Sequence, residues 1–336
     1  MMFFMVLLLS IFLIISTDSW LMTWLALEIN IMVFLPLMLK KNNKYQSETA
    51  LKYFLIQVMA SVIILLSLIQ LKVSENYIHL LTLALMLKMA AAPLHKWMPA
   101  LISGMSWETL FILLILQKLA PFFLLSINMN LVYFDFLIFF IIMSAVTGSV
   151  MVLFQSSLQK MLAYSSIAHL AWMLAIMKES KFEWFIYFVI YSMIILALLV
   201  TLAHNNTSYL SQLLSLHKSK MKFWICLGFL SLAGLPPFSG FFPKMMVISV
   251  LSCSEYKFLA GVLILSSLIS LFMYMRIILM VMLQKSAKNF LFEKKKNDYF
   301  VVFINMIFMP VGLMIFLLDF KLYKLKTFKV LKKSKS

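Results

Sequence analysis

The sequence predicts an all-α polytopic membrane protein of about eleven transmembrane helices. Three observations carry that prediction. The chain is 64% hydrophobic and 12% charged, whereas a soluble domain is about half apolar and a quarter charged. Apolar runs of roughly 20 residues, the length a helix needs to cross a bilayer, recur along it. Two of these runs are interrupted by proline beside lysine, in LMLKMAAAPLHKWMP and AGLPPFSGFFPK. No polar stretch is long enough to bury a core of its own, so residues 1–336 read as a single transmembrane domain.

The spans fall near 3–17, 19–39, 50–71, 77–103, 106–127, 130–153, 157–177, 184–204, 222–252, 256–283 and 299–318. The first is short. MMFFMVLLLSIFLIIST has no basic n-region and no small-residue cleavage site, so it reads as a span rather than a signal peptide. No arginine-rich transit peptide is present either, which for a mitochondrial protein points to synthesis inside the organelle. The fourth and ninth spans carry the proline interruptions. Proline removes a backbone donor and clashes with the preceding turn, so these two helices are expected to be broken rather than gently bent. Irregular backbone at membrane depth survives only inside protein or beside water. One break in each half of the chain is the pattern of inverted repeats around a central pathway. A packing kink without transport is the plainer alternative; the lysine at each break favours the pathway.

The formal charge is +17, and Arg276 is the only arginine. The lysines collect in loops and in the tail, so they read as topology signals and headgroup contacts, not as a nucleic-acid surface. With the N-terminus on the matrix or cytoplasmic side, three segments on that side are basic: 40–49 (Lys40, Lys41, Lys44), 204–222 (Lys218, Lys220, Lys222) and 284–298 (Lys285, Lys288, Lys294, Lys295, Lys296). The opposite loops balance their charges, with Asp18, Lys72 and Glu75, and Lys178, Glu179, Lys181 and Glu183. The tail 319–336 breaks the rule, because after eleven crossings its lysines stand on the opposite face. Either the count is off by one or a partner holds the tail. Leu322, Leu325, Phe328 and Leu331 recur near a helical period, which suits a surface helix. The 28 methionines and the Lys, Asn, Phe and Ile bias suit an AT-rich genome that reads AUA as Met.

Four ionisable groups lie inside apolar runs: Glu28, Lys88, Lys118 and Lys244. Each costs roughly 2.5–3.5 kcal/mol at a bilayer centre, so together they cost on the order of 10 kcal/mol. The default reading of such groups is a buried polar pathway, most simply one for protons. Burial brings a lysine's proton within reach of neutral pH, and histidine already titrates there. Lys88 and His95 stand two helical turns apart, about 10 Å on one face if the helix were regular. Lys118 precedes Pro121 by one turn, and Lys244 follows Pro243; snorkelling to headgroups is the alternative for both. Glu28 serves a relay, or else a buried helix–helix hydrogen bond. His169, with Ser165 one turn before it, suits a water chain and a satisfied helix pair equally. Asp135, Glu108, Lys160 and Arg276 lie nearer span ends and read as interface anchors.

Cys226 and Cys253 form neither a disulfide framework nor a metal spacing. His79, His204 and His217 lack the spacing of metal or haem pairs, and no phosphate loop, dinucleotide glycine pattern or iron–sulfur cluster motif occurs. The chain itself carries no redox centre by this reading.

WLALEIN, LMLKMAAAPLHKW, LQKLAP, LQKMLAYSSIAHLAWM and LAGLPPFSGFFPK, in this order over roughly 19–283, resemble the NADH dehydrogenase subunit 2 family of mitochondrial respiratory complex I. That resemblance implies an antiporter-like fold of two inverted five-helix repeats, about 3–127 and 130–283, then a final span near 299–318 and the basic tail 319–336. It implies Glu28 as the acidic partner, Lys88 and Lys244 as the central lysines of the two broken helices, Lys118 as the bridge, and His95 and His169 as hydrated-axis residues. Lys96 replaces an expected aromatic, and Ala100 an expected acid. The implied function is proton translocation in the membrane arm of NADH:ubiquinone oxidoreductase at the mitochondrial inner membrane, encoded by the mitochondrial genome. Its partners would be other membrane-arm and accessory subunits and phospholipids, with cardiolipin as a candidate. NADH, FMN, iron–sulfur clusters and ubiquinone would be handled by other subunits. The rival classes are a free-standing cation/proton antiporter and a structural spacer.

Overall fold

The computed structural model describes residues 2–39, 44–70, 77–180, 182–214 and 219–283, without the side chains of 219 and 220. The predicted final span 299–318, the tail, and the charges at 40, 41, 72, 75, 181, 218 and 285–296 lie outside the described residues, as does His217.

Within them the chain is helical almost throughout. The helices are α1 (Met2–Ser16), α2 (Trp20–Met38), α3 (Lys44–Gln70), α4 (Tyr77–Met89), α5 (Trp97–Ile102), α6 (Trp107–Phe111), α7 (Gln117–Asn128), α8 (Phe134–Leu153), α9 (Leu158–Ile176), α10 (Glu183–His204), α11 (Leu210–Leu214), α12 (Ser219–Ala233), α13 (Phe241–Cys253) and α14 (Lys257–Leu283). A π-helical turn, Ile112–Leu116, joins α6 to α7 into one rod. Six helical stretches are long and apolar enough to cross a membrane alone.

The connections sort to two ends. At one end Gln159 Nε2 donates to Met105 O at 3.3 Å, and residues 156–158 exchange backbone hydrogen bonds with 208–210. At the other end Lys178 Nζ donates to Tyr256 OH at 2.6 Å and lies 4.5 Å above the Phe134 ring. This is the alternation that the loop charges predict.

α9 sits in the middle of the bundle, buried on every side. It packs closely on α8, where a Cβ added to Gly148 would meet Ala168 N at 2.6 Å. Small residues let helix backbones approach where no hydrophobic force separates helix from lipid.

Both predicted breaks are present, and they are built alike. α4 ends at Met89, and Ala90 takes the left-handed conformation (φ 60°). Ala90 N–H donates to Leu87 O and Ala91 N–H to Met86 O, at 3.2 and 2.9 Å, the paired bonds of a Schellman cap. α12 ends at Ala233, and Gly234 follows with φ 76°. Because α4 stops at Met89, Lys88 and His95 do not share a helical face; the regular-helix spacing does not apply across the break.

A left-handed conformation costs an L side chain about 1–2 kcal/mol, and glycine nothing. Ala90→Gly is therefore expected to stabilise the fold by about 1 kcal/mol. Gly234→Ala is expected to destabilise it by at least about as much, since its Cβ also lands 3.0 Å from Lys244 Nζ. Thermal unfolding of the assembled protein checks both signs.

Candidate functional site

At each break a lysine stands near the carbonyl end of a half-helix. Such an end carries unpaired C=O groups and partial negative charge, which favour a cation. Lys244 lies in the first turn of α13, but its side chain reaches back across the break. Its Nζ donates to Ala233 O at 2.8 Å, with Leu232 O at 3.5 Å. Lys88 occupies the last turn of α4. There Trp97 Nε1, and not the lysine, caps the helix end, donating to Leu87 O at 3.2 Å.

Lys118 is 2% exposed, which rules out snorkelling. Its Nζ donates to Ser166 Oγ at 3.2 Å and to Ser166 O at 3.3 Å on α9. His169 follows one turn later, with Nδ1 2.8 Å from Tyr187 OH and its ring 4.8 Å from that of Tyr191. Lys118 meets α9 at Ser166, and Lys244 lines a cavity with His169 of the same helix, so α9 lies between the two lysines. The sequence paired Ser165 with His169. The structure turns Ser165 back onto Leu162 O at 2.7 Å and gives the contact with Lys118 to Ser166.

Glu28 is half-buried on α2 and makes no direct ion pair with Lys88. His95 is buried in the first break, its ring edge-on to Tyr164 at 6.3 Å. Asp135, Glu108 and Lys160 lie in the first turns of α8, α6 and α9, as expected of anchors. Arg276 borders a cavity with Phe154, Gln155 and Leu210 at the loop level.

Two small cavities adjoin the row. One, of about 10 Å³, lies between Leu27, Asn30, Gln57, Lys88, Gln117 and Pro121. The other, also about 10 Å³, is bordered by His169, Lys244, Ser266, Ser270 and Tyr274. That volume suits about one water each. Lys118 and Ser166 stand between them.

Residues 17–80 and 72–270 match the family NADH:quinone oxidoreductase/Mrp antiporter, TM. The chain is 38% identical over 287 residues to NADH-ubiquinone oxidoreductase chain 2 of Anopheles gambiae, spanning 82% of this chain and 83% of that one. The chain belongs to the chain 2 family. The corresponding protein of Aedes aegypti is 36% identical and spans 93% of this chain and 95% of its own length. Among solved structures, a chain of respiratory complex I from Thermus thermophilus superposes with a TM-score of 0.79 at 22% identity, covering 91% of this chain and 74% of that one. A chain of the Mrp complex from Dietzia superposes with a TM-score of 0.75 at 16% identity, covering 83% of this chain and 59% of that one. At these identities the superpositions establish a shared fold.

In this chain 2 relative the sequence singles out the buried charges and passes over the neutral side chains that meet them. Ser166 and Tyr187 bind Lys118 and His169. Asn30, Gln57 and Gln117 surround Lys88, and Tyr53 OH donates to Gln117 Oε1 at 3.1 Å. A signal existed: Gln57 and Asn30 are amides inside apolar runs, which cost energy for the same reason charges do.

Proposed function

We propose that the chain is a proton-translocating membrane-arm subunit of NADH:ubiquinone oxidoreductase, and that Glu28, Lys88, Lys118, His169 and Lys244 move the protons, with His95 on the hydrated axis of the first break. One observation carries the reading. Three lysines are almost fully buried within the bundle, and a water-sized cavity adjoins the lysine of each broken helix. A spacer needs none of these, and each is costly to keep.

Coupled titration supplies the mechanism. Neutralising Glu28 removes its attraction for the charged Lys88 and favours proton loss from that amine. The changed charge then acts on Lys118, and through Ser166 and His169 on Lys244. Electron transfer belongs to other subunits, which would hold the NADH, FMN, iron–sulfur clusters and ubiquinone. In this reading the helices to 283 form two inverted five-helix repeats, about 3–127 and 130–283, with an eleventh span beyond. The location is the mitochondrial inner membrane. The exposed apolar faces of α1, α3 and α14 meet lipid and neighbouring membrane-arm subunits.

Lys88→Met in a complex that assembles normally is expected to lower the protons taken up per NADH oxidised, measured in sealed vesicles. An unchanged ratio would make the chain a spacer.

A further inference from the structure

His169 is 8% exposed on the central helix α9. Lysines approach it from two helices. Lys118 of α7 meets Ser166 one turn earlier, and Lys244 of α13 lines a cavity with His169 and Tyr274. Helix α10 covers the imidazole with two tyrosines one turn apart, Tyr187 and Tyr191. They meet it differently. His169 Nδ1 stands 2.8 Å from Tyr187 OH, whereas Tyr191 packs its ring 4.8 Å from the imidazole.

The direction of the bond to Tyr187 follows from a count of partners. A phenol has a single O–H to donate. Tyr187 is 1% exposed, and among the described residues His169 Nδ1 is the sole hydrogen-bond partner of its hydroxyl. Nor does Tyr187 border the cavity that His169 lines. Were Nδ1–H the donor, the phenolic hydrogen would be buried with no acceptor, a state that folded proteins rarely keep. The hydroxyl therefore donates, and Nδ1 accepts. A neutral imidazole has one accepting and one protonated nitrogen, so the ring proton sits on Nε2. The same count excludes an imidazolium, whose two nitrogens both donate.

We propose that Tyr187 is a positioning residue for proton transfer, its hydroxyl holding His169 in the Nε2–H tautomer and in one ring orientation. An imidazole relays a proton by accepting on one nitrogen and releasing from the other. The accepting nitrogen here is committed to Tyr187, so the phenol decides which nitrogen His169 offers to the rest of the row. Tyr187 need not carry the proton itself. A bond to one ring nitrogen sets the tautomer and orientation of functional histidines in the same way. The role of Tyr187 rests on the transport reading; the tautomer does not.

The first test is nitrogen NMR of the assembled complex with isotope-labelled histidine. The His169 signal is the one lost in His169→Gln, or in His169→Asn if that variant does not assemble. An unprotonated Nδ1 is expected; a protonated Nδ1 overturns the proposal. The second test is functional. Tyr187→Phe removes the hydroxyl and keeps the ring, and is expected to slow NADH-coupled proton uptake roughly tenfold in normally assembled complex, the loss seen when a histidine loses its orienting partner. Combining it with His169→Gln separates positioning from a packing defect. The double variant is expected to be no slower than His169→Gln alone, because residues that act through one group are not additive. Losses that multiply in the double variant, or no loss in Tyr187→Phe, overturn the proposal. If Tyr187→Phe does not assemble, the nitrogen signal decides, since it needs no variant at Tyr187. Parent-level uptake by His169→Gln would remove the histidine from the transport reading, and the role of Tyr187 with it, while the nitrogen signal still decides the tautomer.

Discussion

Lys118→Met will slow coupled proton transfer by roughly a hundredfold or more, the range lost when a proton-transfer group is removed. Methionine is chosen because it matches the unbranched length and leaves no charge to bury. Little else should change. Ser166 Oγ loses a donor but still donates to Ala163 O at 2.6 Å, so no hydroxyl proton is orphaned. The contacts of Lys244 at Ala233 O and of His169 at Tyr187 OH are untouched. The complex is therefore expected to assemble, and a native gel checks that before any rate is read. Proton uptake per NADH equal to the parent's, in assembled complex, would remove Lys118 from the row.

Gly240→Ala is expected to prevent assembly. A Cβ at Gly240 would stand 1.8 Å from Ser231 O and 2.9 Å from Ser231 C, both backbone atoms of the last turns of α12. Gly240 has φ −69°, so the need is for room and not for an unusual conformation. No rotamer change relieves a backbone clash, and the two half-helices would have to part by more than an ångström. Lys244 would be drawn off Ala233 O by the same movement. Overpacking typically costs about 1–3 kcal/mol, and a backbone collision exceeds that range. Gly261 provides the control: a Cβ there meets nothing within 4 Å. Gly261→Ala sits in a helix and should be neutral or stabilising by roughly 0.5–1 kcal/mol. Levels of assembled complex compare the two; loss in both variants would show that the clash is not the cause.

The coarse fold was legible because a bilayer leaves so few options. Backbone groups must be satisfied within each span, so apolar length and proline position nearly define the helices. The breaks after Met89 and Ala233 fall where the Pro–Lys clusters placed them. The π-helical turn was not legible. Pro121 marks the rod, but which turn widens depends on packing against α1, α4 and α10, which no local pattern encodes. The site divided in the same way. Charges inside apolar runs announce themselves by their cost. Ser166 was hidden because serine commonly bonds its own helix, as Ser165 and Ser144 do here. The choice between Ser165 and Ser166 turns on the rotation of α9 about its axis, a tertiary quantity.

The separation of the two cavities has an electrical consequence. An unbroken file of water across a bilayer would conduct protons down the membrane potential, dissipating about 2.3 kcal/mol per charge for every 100 mV. Here each pocket accommodates about one water, and the Lys118–Ser166 contact stands between them. In the proposed relay the row is a string of isolated charge stores, closer to capacitors in series than to a wire. On that proposal charge advances only when a neighbouring store changes its own, and the resting chain insulates.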